Sequence, residues 1–436
     1  MRAIISAMNN PEQYRYDVIV IGGGPAGMMS AYHAAARGKK VVIVEKNEIL
    51  GKKLLITGGG RCNITNATYD TRQLLSRYSE AEPFLHSPFS QFAVKDTFAF
   101  FESHGLKLKV EAENRAFPIT DKAQSVWDVL VQGLKQLNVE VRSRTHVIDI
   151  ETVLEAGIKK VSGIKLKDGN YLYAPSIVVA AGGKSHPETG STGDGFIWMN
   201  TLGHTIVKPM VSLVPLRIKD AWVRRLQGVT LPSVKIHIAY DAGDGVWGKD
   251  KPIKGKVLFT HFGVSGPTVL NLSKKVSDYL EYADVKLVLD IRPDLDHGAL
   301  NRLLQDTFLQ EAKKKIKNVL SAVVGEGVPQ SFILTILERA HIDPDLFCHS
   351  VTREMRMILI EAIKKIEMYV DGLLGEDKAI VSSGGVELSE IDWKTMESKV
   401  IQGLYVVGDM LNINRPSGGY SLQLCWTTGY VTGQHV

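Results

Sequence analysis

Three glycines near the start of the chain, Gly22, Gly24 and Gly27, have the spacing G-x-G-x-x-G. The acidic residue Glu45 follows them after roughly 20 residues, which is the separation that a dinucleotide-binding fold requires. In such a site the first glycine permits a tight turn, the second lets the backbone approach a diphosphate, and the third lets a helix pack closely on a strand. The acid accepts hydrogen bonds from ribose hydroxyls. The pattern therefore predicts a site for an adenine dinucleotide.

The segments around these residues have the order that this chemistry needs. The apolar runs Val18–Ile21 and Val41–Val44 predict two buried parallel strands. Between them, the alanine-rich segment Pro25–Arg37 favours a helix whose N-terminus would face the phosphates. An acid rather than an arginine at the end of the second strand favours FAD or NAD over NADP. The candidate cofactor residues of this part are Gly22, Gly24, Pro25, Ala26, Gly27, Glu45 and Lys46.

A polar loop with several glycines, Gly51–Asn66, leaves the end of the second strand. Ligands bind at this edge of such sheets, so we expect the loop to line the cofactor rather than to be a flexible surface loop. The candidate contacts are Lys53, Thr57, Gly59, Gly60, Arg61, Cys62 and Asn63. Two interpretations of Cys62 stay open: a reactive thiol with a pKa lowered by Arg61 and glycine amides, or an inert side chain packed against a ring system.

Two later segments also predict strands that end at glycine residues. Ser176–Gly183 predicts a buried strand that ends in glycines, and the polar stretch after it would contact the cofactor or an incoming nicotinamide. Gly403–Asp409 predicts another strand, with Asp409 placed to accept a hydroxyl of a ribityl chain or to cap a turn. A glycine pair then opens the last helix, whose N-terminus would stabilise the negative charge of a reduced flavin. The candidates are Ala181, Gly182, Gly183, Gly193, Asp194, Gly408, Asp409, Gly418, Gly419 and Tyr420.

His261, in the segment Phe259–Pro267, is the candidate general acid or base of this part of the chain. A hydrogen-bonded structural histidine is an equally good interpretation of the same residue. Cys62, Cys348 and Cys425 form no C-x-x-C pair, so neither a zinc site nor a dithiol reductase is indicated, and we expect no metal.

Composition limits the remaining classes. The 436 residues contain 44% hydrophobic and 23% charged residues, with a net charge of +5, which is typical of a globular protein of two or three domains. We see no basic stripe with interleaved aromatic residues, and expect no nucleic-acid partner. The run Lys313–Lys315 is interpreted as the solvated face of an amphipathic helix. Without a long apolar run or a signal-peptide pattern, we expect a cytoplasmic protein with no membrane partner.

The predicted fold class is α/β, with a Rossmann-like domain interrupted by an insert. The expected parts are a cofactor domain over 1–204 and 379–436, a β-barrel or sandwich over 205–295, a helical part over 296–350, and a return through 351–378. Within the cofactor domain, Val139–Tyr173 predicts a three-stranded meander. In the insert, helices are expected at about 299–320, 329–340 and 352–369. We expect the insert to cover the cofactor as a substrate lid.

Six segments in order resemble a bacterial flavoprotein family that includes aminoacetone oxidase-like enzymes and bile-acid-reducing flavoproteins (BaiN-like and YhiN-like). They are GGGPAGM, GKKLLITGGGRCNITN, AAGGKSHPETGSTGDG, LFTHFGVSGP, SSGGVELSEIDWKTMESK and GLYVVGD. The resemblance implies a two-dinucleotide-binding-type domain with non-covalent FAD, split by a barrel and a helical part. It places Gly22, Gly24, Ala26, Gly27, Glu45, Lys46, Gly60, Arg61, Asn63, Gly182, Gly183, Asp409, Gly419 and Tyr420 at the FAD. Asn412–Arg415 departs from the acidic family pattern there, which puts the substrate in doubt.

We therefore predict a FAD-dependent oxidoreductase that acts on a small molecule by hydride transfer through flavin N5. The first hypothesis is an NAD(P)H-linked reductase of a small or steroid-like unsaturated substrate. The second is an aminoacetone-type amine oxidase that forms peroxide, and the third is a flavin-binding sensor or partner-binding protein without turnover. The sequence leaves the oligomeric state open.

Overall fold

The computed structural model describes residues 15–243, 245–325, 327–374 and 381–436. The chain divides into two compact units, the first formed by Met1–Val211 with Ile380–Val436 and the second by Ser212–Ala379. The predicted boundary between residues 378 and 379 lies outside the described residues, as do residues 1–14, in which the sequence predicts no signal peptide. The other predicted boundaries, at 204, 295 and 350, stay predictions. No helix among the described ranges is long and apolar enough to cross a membrane.

The first unit begins with eleven described strands and seven α-helices. The strands are β1 (Val18–Ile21), β2 (Val41–Val44), β3 (Thr65–Asn66), β4 (Leu108–Glu111), β5 (Arg115–Pro118), β6 (Glu140–Arg142), β7 (Val147–Glu155), β8 (Ile158–Leu166), β9 (Tyr171–Tyr173), β10 (Ser176–Val179) and β11 (Ile206–Ser212). The helices are α1 (Pro25–Ala36), α2 (Lys52–Ile56), α3 (Thr71–Leu75), α4 (Glu82–Gln91), α5 (Val94–Ser103), α6 (Ala123–Gln136) and α7 (Asp194–Leu202).

The second unit then follows, and the chain returns to the first. The strands of the second unit are β12 (Leu216–Ile218), β13 (Thr230–Asp241), β14 (Gly248–Lys249), β15 (Ile253–Phe259), β16 (Gly263–Ser265), β17 (Asp284–Asp290) and β18 (Ile366–Leu373). Its helices are α8 (Ala221–Arg225), α9 (Pro267–Leu280), α10 (His297–Gln310), α11 (Ile316–Val324), α12 (Gln330–Arg339) and α13 (Arg353–Lys364). The returning part holds β19 (Val381–Val386), β20 (Ile391–Asp392), β21 (Glu397–Ser398), β22 (Leu404–Val406) and α14 (Tyr420–His435).

The central sheet of the first unit has the strand order β20-β21-β22-β10-β1-β2-β6. The five strands from β22 to β6 are parallel. Every residue of β1 and β2 is buried, because helices cover the sheet and apolar β-branched side chains fill both faces. From β1 the chain extends the sheet to β2 and β6 on one side, and then crosses to β10 on the other. This reversal is the topological switch point at which doubly wound sheets bind ligands.

The predicted meander is partly wrong at its start. β7, β8 and β9 form a three-stranded antiparallel sheet, but Glu140–Arg142 is a separate strand. This strand pairs in parallel with β2, where Val42 faces Glu140. A short strand at the edge of a parallel sheet has the same alternating pattern as a meander strand, so only the long-range pairing separates them.

The second unit is a closed six-stranded barrel with helices beside it, which confirms the predicted insert of a barrel plus a helical part. Each of β13, β15, β16, β12, β18 and β17 pairs with the next, and β17 pairs again with β13 to close the ring. The closure of the barrel explains why one predicted helix boundary is wrong. The helix expected at 352–369 ends at Lys364, because Ile366–Leu373 is the strand that joins β17 to β12.

The helix expected at 299–320 is two helices, α10 and α11. Lys313–Lys315 lies between them and not on a helix, so the interpretation of this run as a helix face is wrong. The connection is held by another segment of the chain instead: Cys348 N donates to Lys314 O at 3.0 Å, and Lys315 forms a bridge with Phe347.

Candidate cofactor cleft

A cleft of about 910 Å³ lies in the first unit at the carboxyl ends of four parallel strands. Its floor contains Ile21, Val44, Ala180 and Val407, which end or directly follow β1, β2, β10 and β22. The cleft is open to solvent, and this volume includes the open part. Its location is the position that the strand order gives to a ligand.

Gly22, Gly24 and Gly27, at the turn from β1 into α1, differ in whether packing requires a glycine there. A Cβ on Gly22 would lie 2.5 Å from Ala180 O, at a φ of +100° that side chains avoid, and a Cβ on Gly27 would lie 2.0 Å from Gly22 O. At Gly24, φ is −75° and an added Cβ would meet no protein atom within 4 Å. Packing within the protein thus requires glycine at two positions and not at Gly24, which lines the cleft. The space beside Gly24 is thus open for a ligand to approach the backbone.

The N-terminus of α1 is open to an anion. Gly24 is the N-cap residue and provides no side-chain hydrogen bond, Pro25 occupies the first turn, and that turn contains no acidic side chain. The first N–H groups of a helix have no partner within the helix and carry the positive end of its dipole. Gly24, Pro25 and Ala26 line the cleft, so a phosphate there would meet these groups directly.

Glu45 is buried, with 7% of its surface exposed, and it lines the cleft beyond the end of β2. Its Oε2 accepts from Gly23 N at 2.8 Å. Its Oε1 accepts from Asn47 N at 2.8 Å and from Asn47 Nδ2 at 2.7 Å. These donors hold the carboxylate beside the glycine turn, where an acid in this fold binds a ribose.

Three lysines line the cleft, and two of them, Lys46 and Lys53, are held beside a carboxylate. Lys46 Nζ donates to Thr192 Oγ1 at 2.5 Å and to Asp194 Oδ2 at 2.9 Å. Burial alone would raise the pKa of Asp194, but hydrogen bonds from Lys46 and Thr192 outweigh it and hold that pKa below its ordinary value. Lys53 Nζ donates to Ser185 Oγ at 2.5 Å and lies 3.6 Å from Asp409 Oδ2.

Asp409 also pairs with Arg415, whose guanidinium is fully buried. Arg415 Nη2 donates to Asp409 Oδ1, and Arg415 Nε donates to Ser421 Oγ at 3.0 Å. Burial would raise the pKa of Asp409, yet the positive charges of Arg415 and Lys53 lower it below its ordinary value. Asp409 therefore stays a carboxylate at the cleft wall and remains a hydrogen-bond acceptor for a hydroxyl group.

The structure brings eleven of the sequence-predicted residues together around the cleft. They are Gly22, Gly24, Pro25, Ala26, Glu45, Lys46, Lys53, Ala181, Gly182, Asp194 and Asp409. The other predicted cofactor residues are not among the residues that line it. These are Gly27, Thr57, Gly59, Gly60, Arg61, Cys62, Asn63, Gly183, Gly193, Gly408, Gly418, Gly419 and Tyr420.

The loop residues have partners of their own. The guanidinium of Arg61 pairs with Glu111 at 2.6 Å and with Asp121 at 2.5 Å, and lies over the ring of Phe117. Thr57 Oγ1 donates to Leu54 O at 2.6 Å, which ends helix α2.

Cys62 is fully buried, and burial raises the pKa of its thiol to about 12. The interpretation of Cys62 as a thiol with a lowered pKa is therefore wrong, and the packing interpretation agrees with its burial. Asn63, with its amide oriented to suit its neighbours, donates to Thr65 O at 3.0 Å and accepts from Gly419 N at 3.0 Å.

The glycine pair before the last helix serves close packing in the first unit. A Cβ on Gly419 would lie 2.3 Å from Thr65 C, so the residue must be glycine where the two backbones meet. Tyr420 is buried, and its carbonyl accepts from Tyr78 Oη at 2.9 Å. The orientation of this helix toward a flavin stays a prediction.

His261 lies in the second unit, at the turn between β15 and β16. The turn is closed by Thr260 N, which donates to Gly263 O at 2.8 Å. The imidazole is exposed and, among the described residues, has no hydrogen-bond partner. The alternative of a hydrogen-bonded structural histidine is thus not what the described part of the chain shows, and the role as a general acid stays a prediction.

Several cleft residues were missed by the sequence analysis. Thr145, His146 and Val147 line the cleft because they follow β6, the third parallel strand on that side. Recognising Glu140–Arg142 as a strand of the central sheet would have predicted them. Cys425 and Trp198 also line it, although each lies on a helix, α14 and α7, and no local pattern marks them.

These observations fit a dinucleotide cofactor. The cleft provides an uncapped helix N-terminus beside a glycine without a packing role, a buried acid at the end of β2, and a partly buried carboxylate at Asp409. Diphosphate, ribose and a polyhydroxyl chain are the groups that such donors and acceptors recognise.

Comparisons with known proteins agree with this arrangement. The family model of the HI0933-like protein Rossmann domain matches residues 16–435. The 3-dehydro-bile acid delta(4,6)-reductase of Clostridium scindens is 30% identical over 420 residues, which cover 95% of this chain and 97% of that protein. The ribosomal RNA dihydrouridine synthase of Escherichia coli is 27% identical over 429 residues, covering 96% of this chain and 98% of that one.

A similar fold occurs among solved structures. The 3-ketosteroid delta1-dehydrogenase from Sterolibacterium denitrificans, in complex with 1,4-androstadiene-3,17-dione, matches with a TM-score of 0.52. The match covers 96% of this chain and 99% of that one at 13% identity, a likeness of fold.

Proposed function

The chain belongs to the HI0933-like family, and on this premise we propose that it reduces a carbon–carbon double bond conjugated with a carbonyl group. It is an enzyme of the oxidoreductase class and a flavoprotein with a Rossmann nucleotide-binding fold. The proposal concerns the substrate class, the identity of the flavin as FAD and the reductant. The observation that supports the flavin is the cleft at the switch point, with Gly24 open to a ligand, whereas the substrate class is supported by two relatives.

The names of two relatives support this substrate class. One is a reductase of the delta(4,6) bonds of a 3-dehydro bile acid, and the other is a synthase of dihydrouridine. In a 3-oxo steroid with these double bonds, and in a uracil ring, the reducible carbon–carbon bond is conjugated with a carbonyl group. Addition of hydride to the carbon remote from the carbonyl places the negative charge on oxygen, and a proton then completes the neighbouring carbon.

FAD, bound non-covalently, is the flavin that the cleft suits, and it would supply the hydride from N5. Gly24 and the N-terminus of α1 would hold the diphosphate, Glu45 the adenosine ribose, and Asp409 a hydroxyl of the ribityl chain. Lys46 and Lys53 keep their neighbouring carboxylates ionised and fix them in place. NAD(P)H is the proposed reductant, used transiently.

His261 is the proposed proton donor for the second carbon. Its exposed ring has no partner among the described residues, so it exchanges protons freely with solvent. Histidine is the side chain that most often acts as a general acid or base in enzymes, as this step needs.

Anaerobic flavin spectroscopy tests the proposal. We expect NADH or NADPH to bleach the bound flavin, and a 3-oxo-delta(4,6) bile acid or 2-cyclohexenone to restore its absorbance without oxygen. Bleaching by aminoacetone and not by a nicotinamide would instead establish the amine oxidase, and bleaching by neither would leave the sensor. His261→Gln should slow reoxidation by the enone and leave reduction by NAD(P)H unchanged. The matched control is His86→Gln, another exposed histidine.

A second candidate function is the reduction of uridine within ribosomal RNA. The observation that favours it is the match to the Escherichia coli synthase over 96% of this chain. Incubation of unmodified ribosomal RNA with the NAD(P)H-reduced enzyme, followed by digestion to nucleosides and mass spectrometry, should then show uridine converted to a product heavier by two hydrogens. Turnover of free enones with no such product would restrict the enzyme to small molecules.

A further inference from the structure

We propose that one outer surface of the barrel binds the phosphate backbone of RNA. This surface, the lysine face, consists of Lys235 on β13, Lys249 on β14, Lys251 in the next loop, and Lys254 and Lys256 on β15. The inference rests on the second candidate function, uridine reduction in ribosomal RNA, and gives it an RNA contact. It also differs from the sequence-based expectation of no nucleic-acid partner.

The alternation of buried and exposed residues shows that these lysines point outward. On β13, Val234, Ile236 and Ile238 are buried in the barrel core, and Lys235 between them is exposed. On β15, Val257 and Phe259 are fully buried, whereas Lys254 and Lys256 are exposed. Successive side chains of a strand point to opposite faces, so the lysines lie on the solvent side.

Strand pairing brings lysines from distant positions together. Lys235 lies directly opposite Lys254 in the antiparallel pair of β13 and β15. Lys249 lies opposite Ala239, further along the same strand. Like charges directly opposite each other destabilise a sheet. On its other side Lys235 lies opposite Asp290 of β17, whose carboxylate is paired with Lys364 at 2.6 Å.

The nearby carboxylates each form their ion pair with a cation outside the lysine face. The pairs are Asp250 with Lys275 at 3.1 Å, Asp290 with Lys364 at 2.6 Å, and Asp294 with Arg292 at 2.9 Å. Arg292, and at longer range Lys254, lower the pKa of one of them, Asp294. Among the described residues, no ion pair or hydrogen bond involves the ammonium group of any lysine of the lysine face. The face therefore carries net positive charge.

His237 lies on the same side of β13, and the charges of two of these lysines affect its pKa. Burial lowers the pKa of His237, and the charges of Lys249 and Lys235 lower it further, whereas Asp250 and Glu367 act in the opposite direction. The positive potential thus extends along the strand between the two lysines. When the imidazole is neutral, the positive charge of the lysine face comes from the lysines alone.

The chemistry of the surface favours a hydrophilic polyanion over a membrane. Val246, 71% exposed, is the only large exposed hydrophobic residue in the described part of 230–256. Membrane-surface binding needs apolar side chains that insert below the headgroups, in addition to lysines. Five lysines with a single such side chain nearby in the described part of the chain match a phosphate backbone, which is recognised through charge and is independent of base sequence.

The experiment compares two charge-matched triple variants of the FAD-loaded full chain. Lys235→Glu/Lys254→Glu/Lys256→Glu changes the lysine face, and Lys95→Glu/Lys122→Glu/Lys135→Glu changes exposed lysines of the first unit. Each lowers the net charge by six, from +5 to −1. Binding of a fluorescent single-stranded RNA is measured by anisotropy at several salt concentrations, with phosphatidylserine vesicles as the second probe.

Each lost phosphate contact on a single strand reduces the slope of log K against log salt by about 0.7. The lysine-face variant should therefore lose about 2 in slope and about 100-fold in affinity at roughly 0.1 M salt. The control variant should stay within about threefold of the wild type. If charge reversal unfolds the barrel, the Lys→Gln triple variant at the same positions replaces it, and the control is then Lys→Gln at Lys95, Lys122 and Lys135.

An assay of enone reduction tests the catalytic reaction independently of RNA binding. Reduction of 2-cyclohexenone by the lysine-face variant should equal that of the wild type, because free enones need no RNA contact. Equal RNA binding by the two triple variants, no RNA binding by the wild type, or binding to vesicles and not to RNA would each overturn the proposal. None of these results would change the enone assay, and a failure of that assay would not change the binding result.

Discussion

Gly24→Ala is the substitution that best separates cofactor binding from folding. An added Cβ at residue 24 meets no protein atom within 4 Å, and φ is −75°, which alanine adopts without strain. Replacing glycine by alanine at such a position stabilises a protein by about 0.4–1 kcal/mol through the unfolded chain. The weaker preference for alanine as a helix N-cap offsets much of this gain. Without FAD, the free energy of unfolding should change by less than about 0.5 kcal/mol.

With FAD the same methyl group lies where the diphosphate would meet the backbone. A hydrogen bond from a backbone N–H to a charged group contributes about 1.5–3 kcal/mol, so the loss of one raises Kd about 10- to 150-fold. At a FAD concentration 100 times the wild-type Kd, binding stabilises the native state by about 2.7 kcal/mol. If Kd rises 100-fold, the same concentration contributes only about 0.4 kcal/mol.

The assay is titration of FAD into protein stripped of flavin, read by quenching of flavin fluorescence, with denaturant unfolding at zero and saturating FAD. Gly27→Ala is the matched control, because its Cβ would lie 2.0 Å from Gly22 O. It should destabilise the protein without FAD by about 1–3 kcal/mol through overpacking. An unchanged Kd for Gly24→Ala would refute the assignment of the diphosphate to this turn, and so would a loss of stability without FAD equal to that of Gly27→Ala.

Three further predictions concern buried polar groups of the first unit. Glu45→Ala should raise the Kd for FAD about 10-fold or more, measured by the same titration, because it removes the ribose acceptor; flavin retained fully through dialysis would contradict this. Asp409→Asn should be less stable than the wild type at pH 7, and the difference should shrink as the pH falls below about 3.9 toward the lowered native pKa, where the wild-type carboxylate is protonated too; a difference independent of pH in urea unfolding would refute it. Cys62 and Cys425, with pKa values raised to about 12 by burial, should react with iodoacetamide at pH 8 on the order of a thousandfold more slowly than a free thiol; rapid alkylation of the folded protein, seen by mass spectrometry, would contradict that.

The part of the cleft that the sequence predicts is the part with local causes. Gly22, Gly24, Gly27 and Glu45 belong to one strand–turn–helix–strand unit, and residues a few positions apart decide its geometry. Asp409 could be predicted for a similar reason, since it follows a short apolar run that can only be a buried strand.

The part that the sequence does not predict depends on pairing between distant segments. Arg61 has the type and the neighbours of a cofactor ligand, yet Glu111 and Asp121, about 50 and 60 residues later, hold its guanidinium. Lys235 and Lys254 are unremarkable in the sequence and become neighbours only through the register of β13 on β15. Periodicity gives the face of a strand but not its partner, so contacts of this kind need the folded chain.

The hydrogen bonds of Glu45 limit how a ribose can bind there. A carboxylate has about four acceptor positions, and three donors already use them: Gly23 N, Asn47 N and Asn47 Nδ2. One ribose hydroxyl can therefore be accepted without any change, and a second one requires a donor to leave. Asn47 Nδ2 is the donor that can leave at least cost, because it also donates to Thr189 O at 3.0 Å and would keep that bond. Asn47 thus holds the carboxylate in place, and it would give up one contact if Glu45 accepted both hydroxyls of a ribose.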